Sequence, residues 1–184
     1  MPTRDSKSVE GKKPRVLIPQ EKLEKRVQEL AHEITRDFGD QEITVICVLK
    51  GSFPFFSDLI RHLHMPIHCE FLGLQAYGNR TESSGEVKIT LDLAEPIAGK
   101  HVILVEDIVD SGLTLDYLTK SFLARGPASF KTVGLLVKPE AQRNGIEPHY
   151  VGFRVGSEYV VGYGIDYAGK LRGLPYVGTF EHDH

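Results

Sequence analysis

Residues 101–115 read HVILVEDIVDSGLTL, and the other segments of the chain are interpreted around this stretch. It begins with an unbroken aliphatic and β-branched run, Val102 to Val105, which is typical of a strand covered on both faces. Two adjacent carboxylates and a small polar loop come next, and apolar residues then recur at helical spacing from Leu115 to Phe122. The stretch therefore predicts a buried strand, a polar loop and a helix in direct succession.

The loop at 110–114 has the features of an anion site. Its N–H groups and the following helix N-terminus present positive charge, and Gly112 allows the backbone to approach a ligand closely. The hydroxyls of Ser111 and Thr114 can add hydrogen bonds. These features predict a phosphate site, whereas the alternative is a capped helix start with surface acids, since Asp and Ser are good N-caps.

Three acids on the same stretch need a separate reason, because Glu106, Asp107 and Asp110 would repel a bare phosphate. They are compatible with a ligand that also offers hydroxyl donors, a divalent cation or an acidic proton. A phosphorylated sugar bound with Mg²⁺ offers the first two. We therefore favour a phosphorylated sugar as the ligand of this loop.

Strand and helix patterns alternate along the rest of the chain. Strands are predicted at 43–49, 67–74, 87–93, 132–137 and 150–163, and helices at 19–38, 53–64 and up to 125. The alternation predicts an α/β fold with a mainly parallel sheet, in a single domain at 16–184 after a flexible tail at 1–15. Ligands bind at the carboxyl ends of strands in such sheets. The polar residues expected there are Lys50, Glu106, Asp107, Asp110 and Lys138.

Composition excludes several classes of protein. The 184 residues are 41% hydrophobic and 26% charged, which is ordinary for a globular domain, and the formal net charge of -3 argues against a general nucleic-acid binder. No apolar run approaches a membrane span, and the first residues lack the apolar core of a signal peptide. Cys47 and Cys69 lie in apolar runs and are expected to be reduced core residues. We expect a cytoplasmic protein without membrane or nucleic-acid partners.

Residues 76–86 are polar and rich in Gly and Ser. This composition is compatible with an idle hairpin loop between the predicted strands at 67–74 and 87–93. It is equally compatible with a mobile lid over a ligand. The residues alone leave both interpretations open.

The sequence VEDIVDSGLT at 105–114 resembles the phosphoribosyl-diphosphate motif of type I phosphoribosyltransferases. The similarity extends from about Val16 to Phe180 and is strongest to the bacterial hypoxanthine-guanine enzymes of that family. It implies a mainly parallel sheet with a small hood built from the chain ends. It also implies purine salvage by transfer of phosphoribosyl to hypoxanthine or guanine, with Mg²⁺, in a homodimer or homotetramer.

The resemblance further implies roles for individual residues. The 5-phosphate would be held by the loop formed by Asp110, Ser111, Gly112, Leu113 and Thr114, and Asp110 would be the general base at the purine N7. Ribose hydroxyls and metal would be held by Glu106 and Asp107, and a second metal by Asp166. The residues expected to contact pyrophosphate are Lys50, Gly51 and Arg172, with a non-proline cis peptide in the loop Leu49-Lys50-Gly51.

The purine contacts implied by the resemblance are Lys138, Tyr159 and Val160, and the lid would begin at Ala76 and Tyr77. An ammonium offers donors alone, so Lys138 suits a 6-oxo group and not the 6-amino group of adenine. The chain departs from the family at Ala76, where serine is usual, and at Leu113, where some relatives carry lysine. A nucleic-acid-binding regulator of this fold and an enzyme for xanthine are the alternatives; the sequence does not decide about xanthine.

Overall fold

The computed structural model of the chain describes residues 13–76, 87–142 and 145–180. The strands are β1 (Arg15–Ile18), β2 (Ile43–Leu49), β3 (Ile67–Ala76), β4 (Val87–Leu91), β5 (His101–Val109), β6 (Ser129–Val137), β7 (Tyr150–Arg154), β8 (Val160–Val161) and β9 (Val177–Thr179). The helices are α1 (Gln20–Phe38), α2 (Phe53–Ile60) and α3 (Leu113–Leu123), and a 3₁₀ helix covers Pro139–Ala141. In these ranges, no helix combines the length and the apolar character needed to cross a lipid bilayer.

The main sheet has six strands in the order β4-β3-β2-β5-β6-β7. All neighbouring pairs are parallel except β3 and β4, which run antiparallel. This topology confirms the predicted α/β fold with a mainly parallel sheet and the predicted pairing of the segment after residue 86 with β3. The order places β5, which carries the two adjacent carboxylates, between β2 and β6.

The central strand β5 carries an unbroken apolar run from Val102 to Val105, and both of its faces are covered. Ile103 and Val105 belong to a core with the buried faces of α1 and α2. Val102 and Leu104 point to the opposite side and pack in a second core with α3. Side chains alternate between the faces of a strand, so two covered faces require an unbroken apolar run.

A second, smaller sheet joins the two ends of the described chain, in the order β1-β9-β8. Both of its pairings are antiparallel, with Arg15 opposite Thr179 and Val160 also opposite Thr179. The expected hood built from the chain ends is therefore present. Its first strand starts at Arg15, the last residue of the predicted tail.

Three local expectations are wrong. The helix predicted at 53–64 ends at Ile60, because the N–H of His62 bonds to Leu59 O at 3.0 Å in a tight final turn. The strand predicted at 150–163 is two short strands in different sheets, since the chain leaves the main sheet after Arg154 and bends before β8. Cys69 is exposed, unlike buried Cys47, because the first five residues of β3 lie near the sheet edge and are not fully covered.

Candidate active site

The carboxyl ends of three adjacent parallel strands bring the predicted polar residues to one edge of the sheet. Lys50 follows β2, Glu106 and Asp107 lie in the last part of β5, and Lys138 follows β6. The N–H of Lys138 donates to Val109 O at 3.0 Å, which ties the end of β6 to the end of β5. Residues more than 80 positions apart in the sequence thus share one cleft edge, as parallel sheets require.

The loop after β5 passes directly into α3. Gly112 is the N-cap of this helix, with φ 77° and ψ -8°, and no side chain caps it. The hydroxyl of Ser111 accepts a long bond, 3.4 Å, from the N–H of Leu113. The first N–H groups of a helix have no carbonyl partner within the helix, so the start of α3 is the kind of position at which proteins bind anions.

A small cleft lies on this loop, with a volume of about 120 Å³. Pockets for whole small molecules usually measure about 300–1,000 Å³, so the cleft has room for one group of phosphate size. Its lining residues are Glu106, Ile108, Val109, Asp110, Ser111, Gly112, Thr114 and Leu115. The cleft therefore joins the predicted phosphate loop to the first of the two adjacent acids.

The two adjacent carboxylates are held in an environment that disfavours their charge. Burial, and next the neighbouring Asp107, raise the pKa of Glu106 well above its ordinary value. Burial also raises the pKa of Asp107 to about 6, although N–H groups of Ile108 and Asp107 and the charge of Arg172 act in the opposite direction. Oε1 of Glu106 is buried without a hydrogen-bond partner in the described part of the chain. The pair is thus arranged to receive hydroxyl donors or a cation.

Gly51 lies against the second of these acids. A side chain at Gly51 would place its first carbon 1.7 Å from Oδ2 of Asp107, so no other residue fits here without displacing the carboxylate. The peptide bond between Leu49 and Lys50 is cis, as the family resemblance implies. The loop after β2 therefore presents its backbone beside the acids of β5.

Asp166 and Arg172 lie in the segment that connects β8 to β9. Nη2 of Arg172 is 2.7 Å from Oδ1 of Asp166, and Nη1 donates to Gly164 O at 2.7 Å. Oδ2 of Asp166 accepts from the N–H of Gly169 at 2.7 Å. A side chain at Gly164, in the same segment, would come within 1.9 Å of Gly51 O, so this segment packs against the loop after β2.

The expected purine contacts lie on the hood side and at the end of β6. Tyr159 is 51% exposed, and its hydroxyl donates to Asp166 O at 3.2 Å. Its ring meets the ring of Tyr167 edge to face at 5.6 Å between centroids. Lys138 and Val160 are buried, at 9% and 3% exposure. An exposed aromatic face can stack on a flat ligand, and an ammonium such as that of Lys138 can donate to a polar group of one.

Among the described residues, no three side chains of His, Cys, Asp or Glu form a ready-made metal cage. Glu106, Asp107 and Asp166 could therefore hold a cation if a ligand supplied further oxygen atoms. Carboxylate oxygens suit a hard ion such as Mg²⁺, which commonly keeps one or two carboxylates and completes its shell with phosphates and water. The unpartnered Oε1 of Glu106 fits this arrangement.

The predicted lid at residues 76–86 is described by the structure only at its first residue. Ala76 is the last residue of β3, whereas Tyr77 and the rest of the predicted lid lie outside the described residues.

Sequence reasoning missed Asp58 and Tyr163, whose hydrogen bond of 2.6 Å links α2 to the segment that carries Arg172. The run Gly162-Tyr163-Gly164, a tyrosine between two glycines, is the signal that could have indicated an unusual turn there.

Comparison with known proteins agrees with this arrangement. Residues 17–168 match the phosphoribosyl transferase domain family. The chain is 45% identical over 167 residues to the hypoxanthine-guanine phosphoribosyltransferase of Bacillus subtilis, covering 91% of this chain and 93% of the relative. It is 41% identical to the enzyme of the same name from Mycobacterium bovis, covering 90% and 85% of the two chains.

A solved structure shows the same likeness in three dimensions. The crystal structure of a hypoxanthine-guanine phosphoribosyltransferase from Bacillus anthracis, with a HEPES molecule in its active site, superposes with a TM-score of 0.88 at 46% identity. The match covers 92% of this chain and 100% of that one. These relatives bear the names of enzymes, which favours the enzyme hypothesis over the regulator. The chain belongs to the phosphoribosyltransferase family and, within it, to the hypoxanthine-guanine phosphoribosyltransferases.

Proposed function

We propose that this protein transfers the phosphoribosyl group of 5-phosphoribosyl 1-diphosphate to hypoxanthine or guanine, giving IMP or GMP and pyrophosphate. The observation that carries the proposal is the meeting of a phosphate-sized cleft, two adjacent carboxylates and a buried lysine at one sheet edge. Each matches one part of the substrates: the 5-phosphate, the ribose hydroxyls and the purine 6-oxo group. Membership of the family supports the same reaction.

The sugar diphosphate would bind across the ends of β2 and β5. The loop from Asp110 to Thr114 would hold the 5-phosphate with backbone N–H groups, which makes the side chain at Leu113 unimportant for this contact. Glu106 and Asp107 would accept hydrogen bonds from the ribose hydroxyls. Lys50, the N–H of Gly51 and Arg172 would stabilise the departing pyrophosphate, whose negative charge grows as its bond to the anomeric carbon of the ribose breaks and the bond to the purine nitrogen forms.

We propose Mg²⁺ as the cofactor, held by Glu106 and Asp107 and, for a second ion, by Asp166. When bound, Mg²⁺ supplies positive charge that offsets the charge of the pyrophosphate group. The support is the set of hard carboxylate oxygens beside the proposed diphosphate position, together with the unpartnered Oε1 of Glu106. Without a cation, the three carboxylates would repel a ligand that itself carries several negative charges.

The purine would lie between Tyr159 and the end of β6. Lys138 would donate to the 6-oxo group, and the backbone of Val160 would contact the ring near N1 and the 2-position. Asp110 would accept the proton from N7 as general base, and its carboxylate would stabilise nearby positive charge on the ribose. A lid formed by Ala76, Tyr77 and the residues up to 86 would exclude water during the transfer.

A substrate panel tests this proposal. Purified protein is given phosphoribosyl diphosphate, Mg²⁺ and one of hypoxanthine, guanine, xanthine or adenine, and pyrophosphate release is followed. We expect turnover with hypoxanthine and guanine and very little with adenine, because the ammonium of Lys138 and the 6-amino group both donate. Equal turnover of adenine would contradict the assignment, and efficient turnover of xanthine would extend it.

The proposed compartment and assembly need their own support. Cys47 and Cys69 are both free thiols, which is compatible with a reducing compartment, and we propose the cytoplasm.

We also propose a homodimer or homotetramer, because Phe53 and Phe71 expose 47% and 43% of their surface and a second copy could cover them. Light scattering after size-exclusion chromatography would give the assembly; a monomer at micromolar concentration would refute it.

A further inference from the structure

Tyr163 occupies an unusual backbone position in the turn after β8. Its φ is 48°, in the left-handed region, and it lies between Gly162 and Gly164, whose φ values are 93° and 101°. A bulky residue is rare in this region and persists where the surroundings hold it firmly. The side chain is only 8% exposed, and its hydroxyl donates to Oδ2 of Asp58 at 2.6 Å.

The backbone beside Tyr163 touches both elements that would contact pyrophosphate. A side chain at Gly164 would come within 1.9 Å of Gly51 O, so the turn rests directly on the loop after β2. The N–H of Gly164 donates to Arg172 O at 2.9 Å, and Nη1 of Arg172 donates back to Gly164 O at 2.7 Å. A shift of this turn would therefore move Gly51 and Arg172 relative to each other.

Asp58 anchors the tyrosine to the helix that follows the same loop. It lies on α2, whose first turn is tied to the loop by the bond from Phe53 N–H to Lys50 O at 3.4 Å. Oδ1 of Asp58 also lies 3.6 Å from Nη1 of Arg61 on the same helix side. Burial, and next the bond to Asp58, raise the pKa of Tyr163 above its ordinary value, so the phenol stays protonated and donates.

We propose that Tyr163 and Asp58 form a positioning pair for the pyrophosphate half of the site, holding Arg172 and the Lys50–Gly51 loop at the separation that the leaving group requires. The inference rests on the proposed function, because pyrophosphate is the group that these residues would contact there. Neither side chain needs to touch substrate. Hydrogen bonds to charged groups are stronger than neutral ones, which suits the fixing of two elements that are distant in the sequence.

The test compares Tyr163→Phe with the unchanged protein in steady-state kinetics and in calorimetric binding of magnesium pyrophosphate. We expect the KM for phosphoribosyl diphosphate and the Kd for pyrophosphate to rise about tenfold, since a shift of about 1 Å can cost up to 10²-fold. The KM for hypoxanthine should change less than about twofold, because the purine side keeps its contacts. Asp58→Ala should reproduce these changes, whereas Asp58→Asn should restore most of the affinity through its amide oxygen.

Tyr150→Phe is the matched control. Tyr150 is 5% exposed and donates to Oδ2 of Asp37 at 2.7 Å, so it makes a tyrosine–aspartate bond that is partly buried, like that of Tyr163, at the amino-terminal edge of the sheet. It should lower the melting temperature about as much as Tyr163→Phe and leave both affinities unchanged. An unchanged Kd for pyrophosphate in Tyr163→Phe, or an equal loss in Tyr150→Phe, would overturn the inference.

The two proposals fail in different ways in this experiment. Absence of phosphoribosyl transfer by the unchanged protein would reject the proposed function, and the Kd comparison would still decide about the pair. Turnover by the unchanged protein with no affinity change in the variants would reject the pair alone. Absence of both turnover and pyrophosphate binding in the unchanged protein would reject both.

Discussion

Replacing Asp107 by Asn should stabilise the ligand-free protein while it removes activity. In the folded state, burial raises the pKa of this carboxyl from 3.8 to about 6. An acid whose pKa is raised by folding destabilises the folded protein as the pH rises from 3.8 to about 6. The reason is that the folded form must then ionise the acid in an environment that disfavours its charge. At neutral pH the unfolded chain has no such cost, so the charge of Asp107 destabilises the fold.

The size of this effect follows from the shift. A rise of about two pKa units corresponds to about 3 kcal/mol at pH 7.5, which is an upper value because the amide of Asn would accept weaker bonds from the N–H groups of Ile108 and residue 107. If half of the gain remains, the melting temperature should rise by about 3–6 °C for a domain of this size. At pH 4.5 the gain should shrink to about a third, since the folded carboxyl is then mostly protonated.

Thermal unfolding of both proteins in chelator, at pH 4.5 and pH 7.5, measures the difference. Asp40→Asn, which changes an exposed carboxylate in the turn after α1, is the matched control and should leave the melting temperature unchanged. In excess magnesium and phosphoribosyl diphosphate, the unchanged protein should instead have the higher melting temperature. A ligand at about 100 times its Kd adds about 2.7 kcal/mol to the free energy of unfolding of the protein that binds it. A variant that is less stable at pH 7.5, or equally stabilised at both pH values, would refute the reasoning.

Three further predictions concern the proposed chemistry. Asp110→Asn should keep binding of phosphoribosyl diphosphate and lower single-turnover rates by about 10²-fold or more, the usual scale for a lost general base; an unchanged chemical step would remove that role. Lys138→Gln should narrow the preference for hypoxanthine over adenine in kcat/KM, since an amide can present an acceptor to a 6-amino group, and an unchanged ratio would count against Lys138. Turnover should disappear in excess chelator and return with Mg²⁺ or Mn²⁺; full activity in chelator would contradict the roles of Glu106, Asp107 and Asp166.

The part of the molecule from β5 to α3 was predictable from the sequence because its signals are local. An apolar run, adjacent acids, a small polar loop and helical spacing all fall within about twenty residues, and each follows from backbone periodicity or from the chemistry of the side chains. The family motif lies in the same stretch, so the expected phosphate loop needed no knowledge of distant residues. The same holds for the end of α1, where Gly39 accepts φ 59° and its N–H bonds to Thr35 O at 2.8 Å.

Other features depended on which neighbours cover a residue. The apolar segment from Tyr150 to Tyr163 reads as one strand, but its halves pair with β6 and β9 in different sheets. Cys69 lies in a predicted strand, as Cys47 does, and is nevertheless exposed near the sheet edge. The spacing of apolar residues along a strand indicates which face each side chain is on. Whether that face is buried depends on the helices and strands that pack against it.

By itself, the sequence predicted the fold class, the succession of main-sheet strands and helices along the chain, and the residues at the carboxyl edge of the main sheet. The tertiary structure alone decided how these residues meet: the contact of Gly51 with Asp107, the elevated pKa values of the buried acids, and the bond between Tyr163 and Asp58. The physical reason is that Asp58 and Tyr163 are 105 positions apart. Their approach is set by the packing of the turn after β8 against α2, which no local spacing of residue types encodes.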